Sequence, residues 1–513
     1  MAERSASERA LRAELAESRA LNAELLLRCE LLTDQVAALR ELERRSIELV
    51  RHSSERDRLR EAENRLLAER VAQLEARLGR NSRNSNTPPS AEGYTKAPPR
   101  SSRRSSGRKP GGQPGAPGTT LAQVEVPDEV VVHTPAACGG CGAPLAGAPV
   151  TSTETRQVAD LPEVALVWVE HQIEHRECGC GATTMAGPGD GVPETVRAPV
   201  SYGPGVRAVA TYLVAGHYLP LARAAAVMSD LLGAPVSAGS VAAWVQAGAD
   251  ALSPFTDAVR DVITGAPVVN FDETGLRVDG GLGWVHSAST PTATLYTCHA
   301  RRGREAMDAA GVLPAFTGIG VHDCWKPYWC YDIEHALCNA HVARELAGVY
   351  ETTGQTWAPK LAKVLQKMNT AVGDAKDAGH HALEPGVLAG WHARIDQIIA
   401  LGWAQNPAPE GGWPAKRPVA VNLLDRFVTH RAEFLRFATD FRVPHTNNAV
   451  EQAVRPVKIR QKISGCMRTM TGAQAFCALR SYLDTGRKQQ RDTLAILRHL
   501  HDGRPWLPAI GSC

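Results

Sequence analysis

The chain has 513 residues, with 57 Lys and Arg against 54 Asp and Glu and a formal net charge of +3. That length calls for several domains rather than one core, and so balanced a charge does not by itself announce a nucleic-acid partner. Charge alternates from the first residues and no apolar run is long enough to cross a membrane, so neither a signal peptide nor a span is expected. Twelve cysteines, several of them isolated (Cys29, Cys298 and Cys513), fit a reducing cytoplasm.

Residues 1–80 are almost free of Gly and Pro and rich in Leu, Glu, Arg and Ala. Leu11, Leu15, Leu25, Leu32, Val36 and Leu39 fall on a and d positions, interrupted by Ser18, Asn22 and Cys29. A second register runs through Leu67, Val71, Leu74 and Leu78, with a break near Arg51-His-Ser-Ser54. The pattern predicts a coiled coil and hence a homo-oligomer; one long helix folded back on the body is the alternative. Residues 81–120 carry seven Lys or Arg against one acid, Glu92, among Asn, Ser, Pro and Gly. They cannot bury enough apolar surface to fold and read as a flexible basic linker.

Residues 121–190 contain Cys138-Gly-Gly-Cys141 and Cys178-Gly-Cys180. Two close pairs on Gly-bearing knuckles suit four thiolates around a structural Zn²⁺, with His171 and His175 as possible substitutes. A disulfide is disfavoured in a reducing compartment. Over 200–255 two helices are predicted, Leu221 to a glycine stop at Gly233 and a second capped by Ser237. They suit either a helix-turn-helix, with Arg223, Ser237 and Ser240 able to reach DNA, or a purely structural hairpin.

From 262 the pattern becomes that of an α/β domain. Ala266-Pro-Val-Val-Asn-Phe-Asp272 reads as a buried strand with an acid at its exposed end. Asp279-Gly-Gly281 offers a hairpin turn, and further strands follow at Gly283–Ser287 and Ala293–Thr297. Arg304–Ala310 reads as a crossover helix, and Thr317-Gly-Ile-Gly-Val-His-Asp323 as a strand ending on a second acid. These strands make a mixed sheet with two carboxylates at neighbouring strand ends, over 262–342. A fifth strand is expected near His335–Cys338, then a helical insertion over 343–436. Cys338-Asn-Ala-His341 offers two metal-ligand types, too few for a site, and reads as positioning the insertion or DNA. In 437–513, Thr446 or Asn447 caps a helix that carries Glu451 one turn in. The stretch 452–513 is basic, with eleven Lys or Arg against three acids. Three converging carboxylates resist ionising together unless a cation compensates, and their oxygens suit Mg²⁺ or Mn²⁺.

The order of strands, helix and acids resembles the ribonuclease-H-like core of transposases that use an Asp-Asp-Glu triad. More closely, the chain resembles the insertion sequence 66 family of bacterial transposases over nearly its whole length. The blocks that carry the resemblance are Leu78-Gly-Arg-Asn-Ser-Arg-Asn-Ser85 with Pro88-Pro-Ser90, Arg108-Lys-Pro-Gly-Gly-Gln-Pro-Gly115, and Asp272-Glu-Thr-Gly275. They continue with Lys326-Pro-Tyr328, His335-Ala-Leu-Cys-Asn-Ala-His341, and Asn447-Asn-Ala-Val-Glu451 through Arg455-Pro456. Thr446 stands where the family pattern has an Asp, and Lys458-Ile-Arg-Gln-Lys462 departs from the usual stretch after Arg-Pro. The resemblance implies that Asp272, Asp323 and Glu451 are catalytic acids holding two Mg²⁺ or Mn²⁺ ions for phosphodiester cleavage and strand transfer at element ends. It makes Arg304, Trp325, Lys326, Asn447, Asn448, Arg455, Lys458 and Arg460 the DNA-binding candidates. It further implies element-end and target DNA as partners, accessory proteins of the same element, and a bacterial, nucleoid-associated location. The alternatives are a ribonuclease-H-like nuclease without transposition and a DNA-binding regulator; all three acids being present argues against the latter.

Overall fold

The computed structural model describes residues 2–81, 84, 85 and 121–509, apart from 163, 194, 195, 197, 414 and 416. Most of the expected basic linker, 86–120, lies outside the described residues, as does Cys513. The chain divides into two units, residues 1–80 and 81–513.

The first unit is one helix, α1 (Ala2–Leu78). No Gly or Pro interrupts it, and exposed pairs one turn apart, Glu8–Arg12, Glu24–Arg28 and Glu41–Arg45, favour it locally. The register break read at Arg51-His-Ser-Ser54 lies inside this helix, which runs through it without interruption. Two serines weaken helix propensity by only a few tenths of a kcal/mol each, which long flanks of Leu, Glu and Arg outweigh (~0.5 kcal/mol per Ser).

In the second unit, the described residues of 121–190 have little regular secondary structure and are largely exposed, with one antiparallel hairpin, β1 (His175–Glu177) and β2 (Thr183–Met185). Helices α2 (Pro204–Thr211), α3 (Leu221–Leu232) and α4 (Ala238–Asp250) follow. Gly233 ends α3 in the left-handed conformation (φ 58°), and the Ser237 hydroxyl accepts the Ser240 N–H at 3.0 Å to start α4. Their apolar faces enclose a small core of Ala210, Ala224, Met228 and Val241. Helix α5 (Ser253–Thr264) then leads into the sheet.

Five strands form that sheet: β3 (Val268–Val278), β4 (Gly281–Ser289), β5 (Thr294–His299), β6 (Ile319–His322) and β7 (Glu334–Leu337). Their order is β5-β4-β3-β6-β7. The first three strands are an antiparallel meander, turned at Asp279-Gly280 with φ 49° and 71°. Helix α6 (Arg304–Ala310) carries the chain to β6, which runs parallel to both β3 and β7. Helices α7 (Asn339–Thr353), α8 (Trp357–Asp377), α9 (Pro385–Ala404), α10 (Val419–Thr429) and α11 (Arg431–Thr439) make up the insertion. It starts directly after β7, a few residues earlier than the sequence pattern indicated, because Cys338 already caps α7.

Helices α12 (Asn448–Ser464), α13 (Met470–Lys488) and α14 (Thr493–His501) close the chain. One core joins Ile319, Val321, Ala336 and Leu337 of the sheet to Leu346, Trp357, Leu361 and Phe434 of the insertion. The insertion is thus packed onto the sheet rather than appended to it. A second core joins Val269, Phe271, Ala288 and Leu295 to Phe255, Leu479 and Tyr482. Strand β5 would be an open edge, but Ser481 and Thr485 of α13 accept the N–H groups of Tyr296 and Thr294 at 2.8 and 3.0 Å. Among the described residues no helix is long and apolar enough to cross a membrane.

Candidate active site

The parallel register of β3 and β6 brings the first two acids together. Pairing runs from Val268–Ile319 to Asn270–Val321 and stops there. Asp272 and Asp323 each lie two residues beyond the last paired residue, where β3 and β6 run about 4.8 Å apart. Asp272 is not at a strand end, as its apolar run suggested: β3 continues to Val278 by pairing with β4 alone. What frees the Asp272 edge is the end of β6.

Both aspartates sit in a setting that opposes their charge. Burial pushes the Asp272 carboxyl well above its usual range, and Glu273, Asp323 and Glu451 push it further. Burial also raises Asp323. Asp323 Oδ1 accepts the Trp325 N–H at 2.9 Å, and Cys324 between them takes φ 72°. A left-handed non-glycine residue costs on the order of 1 kcal/mol or more and persists where the surroundings impose it. Here it turns the chain so that Asp323 stays beside β3.

Glu273, which the sequence reading passed over, is the centre of a buried network. Its side chain is 1% exposed, and one oxygen accepts Arg302 Nε and Nη2 at 3.0 and 2.6 Å. The other oxygen accepts the Tyr328 hydroxyl at 2.7 Å. Arg302 in turn lies over the Trp325 ring at 4.0 Å and near Trp284 at 4.9 Å. Burial and the Asp323 charge raise the Glu273 carboxyl, while Arg302 opposes them. The arrangement locks β3 to the segment after Asp323 and therefore fixes the spacing of the two aspartates. The one sequence signal was the acid immediately following Asp272.

Glu451 reaches the site from α12, one turn from its start. Asn447, expected as a DNA contact, is 1% exposed and is engaged within the fold. Instead its amide donates to the Phe271 carbonyl at 2.8 Å and accepts Asn270 Nδ2 at 2.6 Å. Its backbone N–H donates to Cys338 Sγ at 3.1 Å. Asn447 thereby ties the start of α12 to β3 just before Asp272 and to the end of β7. Replacing it with Ala leaves two buried polar groups unpaired, so Asn447→Ala should lower stability by about 1–3 kcal/mol. Thermal unfolding of the purified variant checks this, and an unchanged Tm would remove Asn447 as the clamp.

Asp323 and Glu451 both oppose the Asp272 charge, but the three acids do not form a single ligand set. Among the described residues, the three His, Cys or acid side chains whose ligand atoms lie mutually within 4.8 Å are Cys338, His341 and Glu451. The remaining DNA candidates divide by burial. Arg304, Lys326, Asn448 and Arg455 are exposed, with Arg304 3.5 Å from Asp308. Lys458 donates to the Gly275 carbonyl at 2.6 Å and Arg460 to that of Gly465 at 2.8 Å, so both are held within the fold. Trp325 is half-buried beneath Arg302.

The cysteine pairs occupy two turns of similar construction. The Cys138 N–H donates to the Ala143 carbonyl and Gly142 returns to Cys138; Cys178 pairs likewise with Ala182 and Gly181. Backbone N–H groups, that of Gly140 foremost for Cys138 and that of Cys180 for Cys178, lower both thiols' pKa. Among the described residues the two pairs are not gathered into one cluster. His171 and His175 are exposed and do not join either pair into such a cluster.

No curated protein matches the chain. Residues 3–122 match the model of a family of unknown function, DUF6444. Residues 199–475, which contain all three acids, the whole sheet and the helical insertion, match the model described as Transposase IS66 family. That match covers more than half of the chain, and the chain belongs to the IS66 family of transposases.

Proposed function

We propose that the chain is a DNA transposase of an insertion sequence, with a ribonuclease-H-like core whose catalytic acids are Asp272, Asp323 and Glu451. The observation that carries this reading is the placement of Asp272 and Asp323 two residues beyond the same pairing point, with Glu451 delivered by the clamped start of α12. The sheet order, a meander joined to two parallel strands, supports the core assignment. All three donors are carboxylate oxygens, and the Asp323 and Glu451 charges oppose that of the buried Asp272, which fits two Mg²⁺ or Mn²⁺ ions. Such ions, when bound, polarise the scissile phosphate and activate water or a DNA 3′-hydroxyl for attack. The protein's own residues do the positioning. The Glu273–Arg302–Tyr328 network holds the aspartates, Asn447 holds the start of the helix that carries Glu451, and Arg304, Lys326, Asn448 and Arg455, all exposed, are the residues we assign to DNA phosphates.

The test uses full-length protein, Mg²⁺ and linear DNA bearing the element's two ends. Joined products carrying both ends are expected. Metal-dependent nicks without joining would reduce the protein to a nuclease, and DNA binding without any cleavage would make it a regulator.

We also infer that the two cysteine turns close on one structural Zn²⁺. Their lowered thiol pKa values favour the thiolate form that binds metal. Zinc analysis of the full chain should fall by about one equivalent in Cys138→Ser plus Cys180→Ser. Unchanged stoichiometry rejects the site.

A further inference from the structure

We propose that Cys338, His341 and Glu451 form a second metal site, selective for Zn²⁺ or a similar soft divalent ion and distinct in chemistry from the oxygen site of the aspartates. The sequence supplied only two of these ligands; the fold supplies the third from α12. Their ligand atoms lie mutually within 4.8 Å. Around a tetrahedral ion with bonds of about 2.0–2.3 Å, ligand atoms stand roughly 3.5 Å apart, so closure needs only small side-chain movements.

Each ligand is held on a rigid element. Cys338 is the N-cap of α7 and His341 lies one turn on, so the two share one face of the helix start. Cys338 is 2% exposed and its sulfur accepts the Asn447 N–H at 3.1 Å, which fixes the position of the sulfur. His341 Nδ1 is fully enclosed and has no hydrogen-bond partner among the described residues. A buried, unpaired ring nitrogen carries a desolvation cost that a bound ion would remove.

The charges balance. A Cys338 thiolate and the Glu451 carboxylate together offset a dication. Arg344 stands 3.6 Å from Glu451 Oε1, and a carboxylate has a second oxygen with which to share the ion. Binding forms one metal–sulfur bond and releases the thiol proton to solvent; nothing is oxidised or reduced. Sulfur and imidazole donors suit Zn²⁺ and disfavour Mg²⁺, which demands an octahedron of oxygens. Three protein ligands leave one position open to water.

Glu451 belongs to both ligand sets. If it is also the third catalytic acid, an inference that rests on the function proposed above, zinc held by Cys338 and His341 withdraws it from Asp272 and Asp323. Zinc then acts as an inhibitor of Mg²⁺-dependent cleavage.

The experiment measures zinc bound to full-length, metal-stripped protein by equilibrium dialysis. Wild type is compared with Cys338→Ala, His341→Gln and Glu451→Gln, with the cysteine-turn pair Cys138→Ser plus Cys180→Ser run in parallel. Each of the first three variants should lose about one equivalent independently of the turn pair. X-ray absorption of zinc in the Cys138→Ser plus Cys180→Ser protein should show one sulfur among nitrogen and oxygen donors. His341→Gln keeps the side-chain volume and so separates loss of a ligand from loss of fold, which thermal unfolding follows. Full zinc stoichiometry in a folded His341→Gln protein, or absorption without sulfur, overturns the site. Zinc binding that leaves Mg²⁺-dependent cleavage unchanged would instead overturn Glu451 as the third acid.

Discussion

Asp272→Asn, Asp323→Asn and Glu451→Gln should each reduce cleavage and strand transfer by about a thousandfold or more while leaving DNA binding near wild type. A carboxylate that helps hold a cation over the developing phosphate charge contributes several kcal/mol to the transition state, and about 4 kcal/mol corresponds to a thousandfold. The amide keeps the shape of the side chain, so no cavity opens and the exposed basic residues are undisturbed. A second readout separates this from simple damage. Burial together with the Glu273 and Asp323 charges opposes the Asp272 carboxylate, so the metal-free fold carries an electrostatic cost that a neutral amide at this position would not. In chelator, Asp272→Asn should unfold at a higher temperature than wild type, by roughly 1–2 °C for each kcal/mol gained in a unit of this size. Wild type should gain stability on adding Mg²⁺, and the variant should gain much less. Near-normal strand transfer in any one variant would remove that residue from the triad.

The sheet was legible because its signals are local. An apolar run, an Asp-Gly turn and β-branched alternation mark β3, β4 and β5 without knowledge of their partners, and an Asn N-cap marks α12. What the sequence could not reveal depends on register. Asp272 reads as a strand terminus because its apolar run ends there, yet the strand continues; the opening beside it is made by β6, which stops at His322. Asn447 reads as a helix cap, and the family resemblance makes it a DNA-contact candidate. Only the approach of α12 to β3 shows that it is enclosed against Asn270 and Phe271. Glu273 alternates with Asp272 along β3 and was eclipsed by it, since nothing local announces Arg302 or Tyr328 as its partners. Cys338 and His341 look like half a metal site because the remaining ligand is separated from them by the insertion and the return of the chain.

Removing residues 1–80 should leave the sheet, the insertion and the metal sites folded but abolish most self-association and paired-end joining. The helix α1 is continuous over Ala2–Leu78 and its leucines are open, with Leu15 53%, Leu32 58% and Leu74 44% exposed. A helix that long, with apolar side chains in two heptad registers, gains on the order of 1.5–3 kcal/mol for each Leu it fully buries. A second copy of the same helix offers a matching seam. Transposition must bring two DNA ends to one complex, so two catalytic units have to be held together, and this helix can do so without a large globular interface. Proline at Leu32 and Leu74 should act like the deletion, because each breaks the helix interior at a cost of about 3 kcal/mol. Sedimentation of the full-length, truncated and double-proline proteins decides it. The full chain should sediment as an oligomer and the other two chiefly as monomers, with single-end cleavage retained and joining of two ends lost. Identical oligomeric states in all three would assign the exposed leucines to another partner, an accessory protein of the element being the first to test.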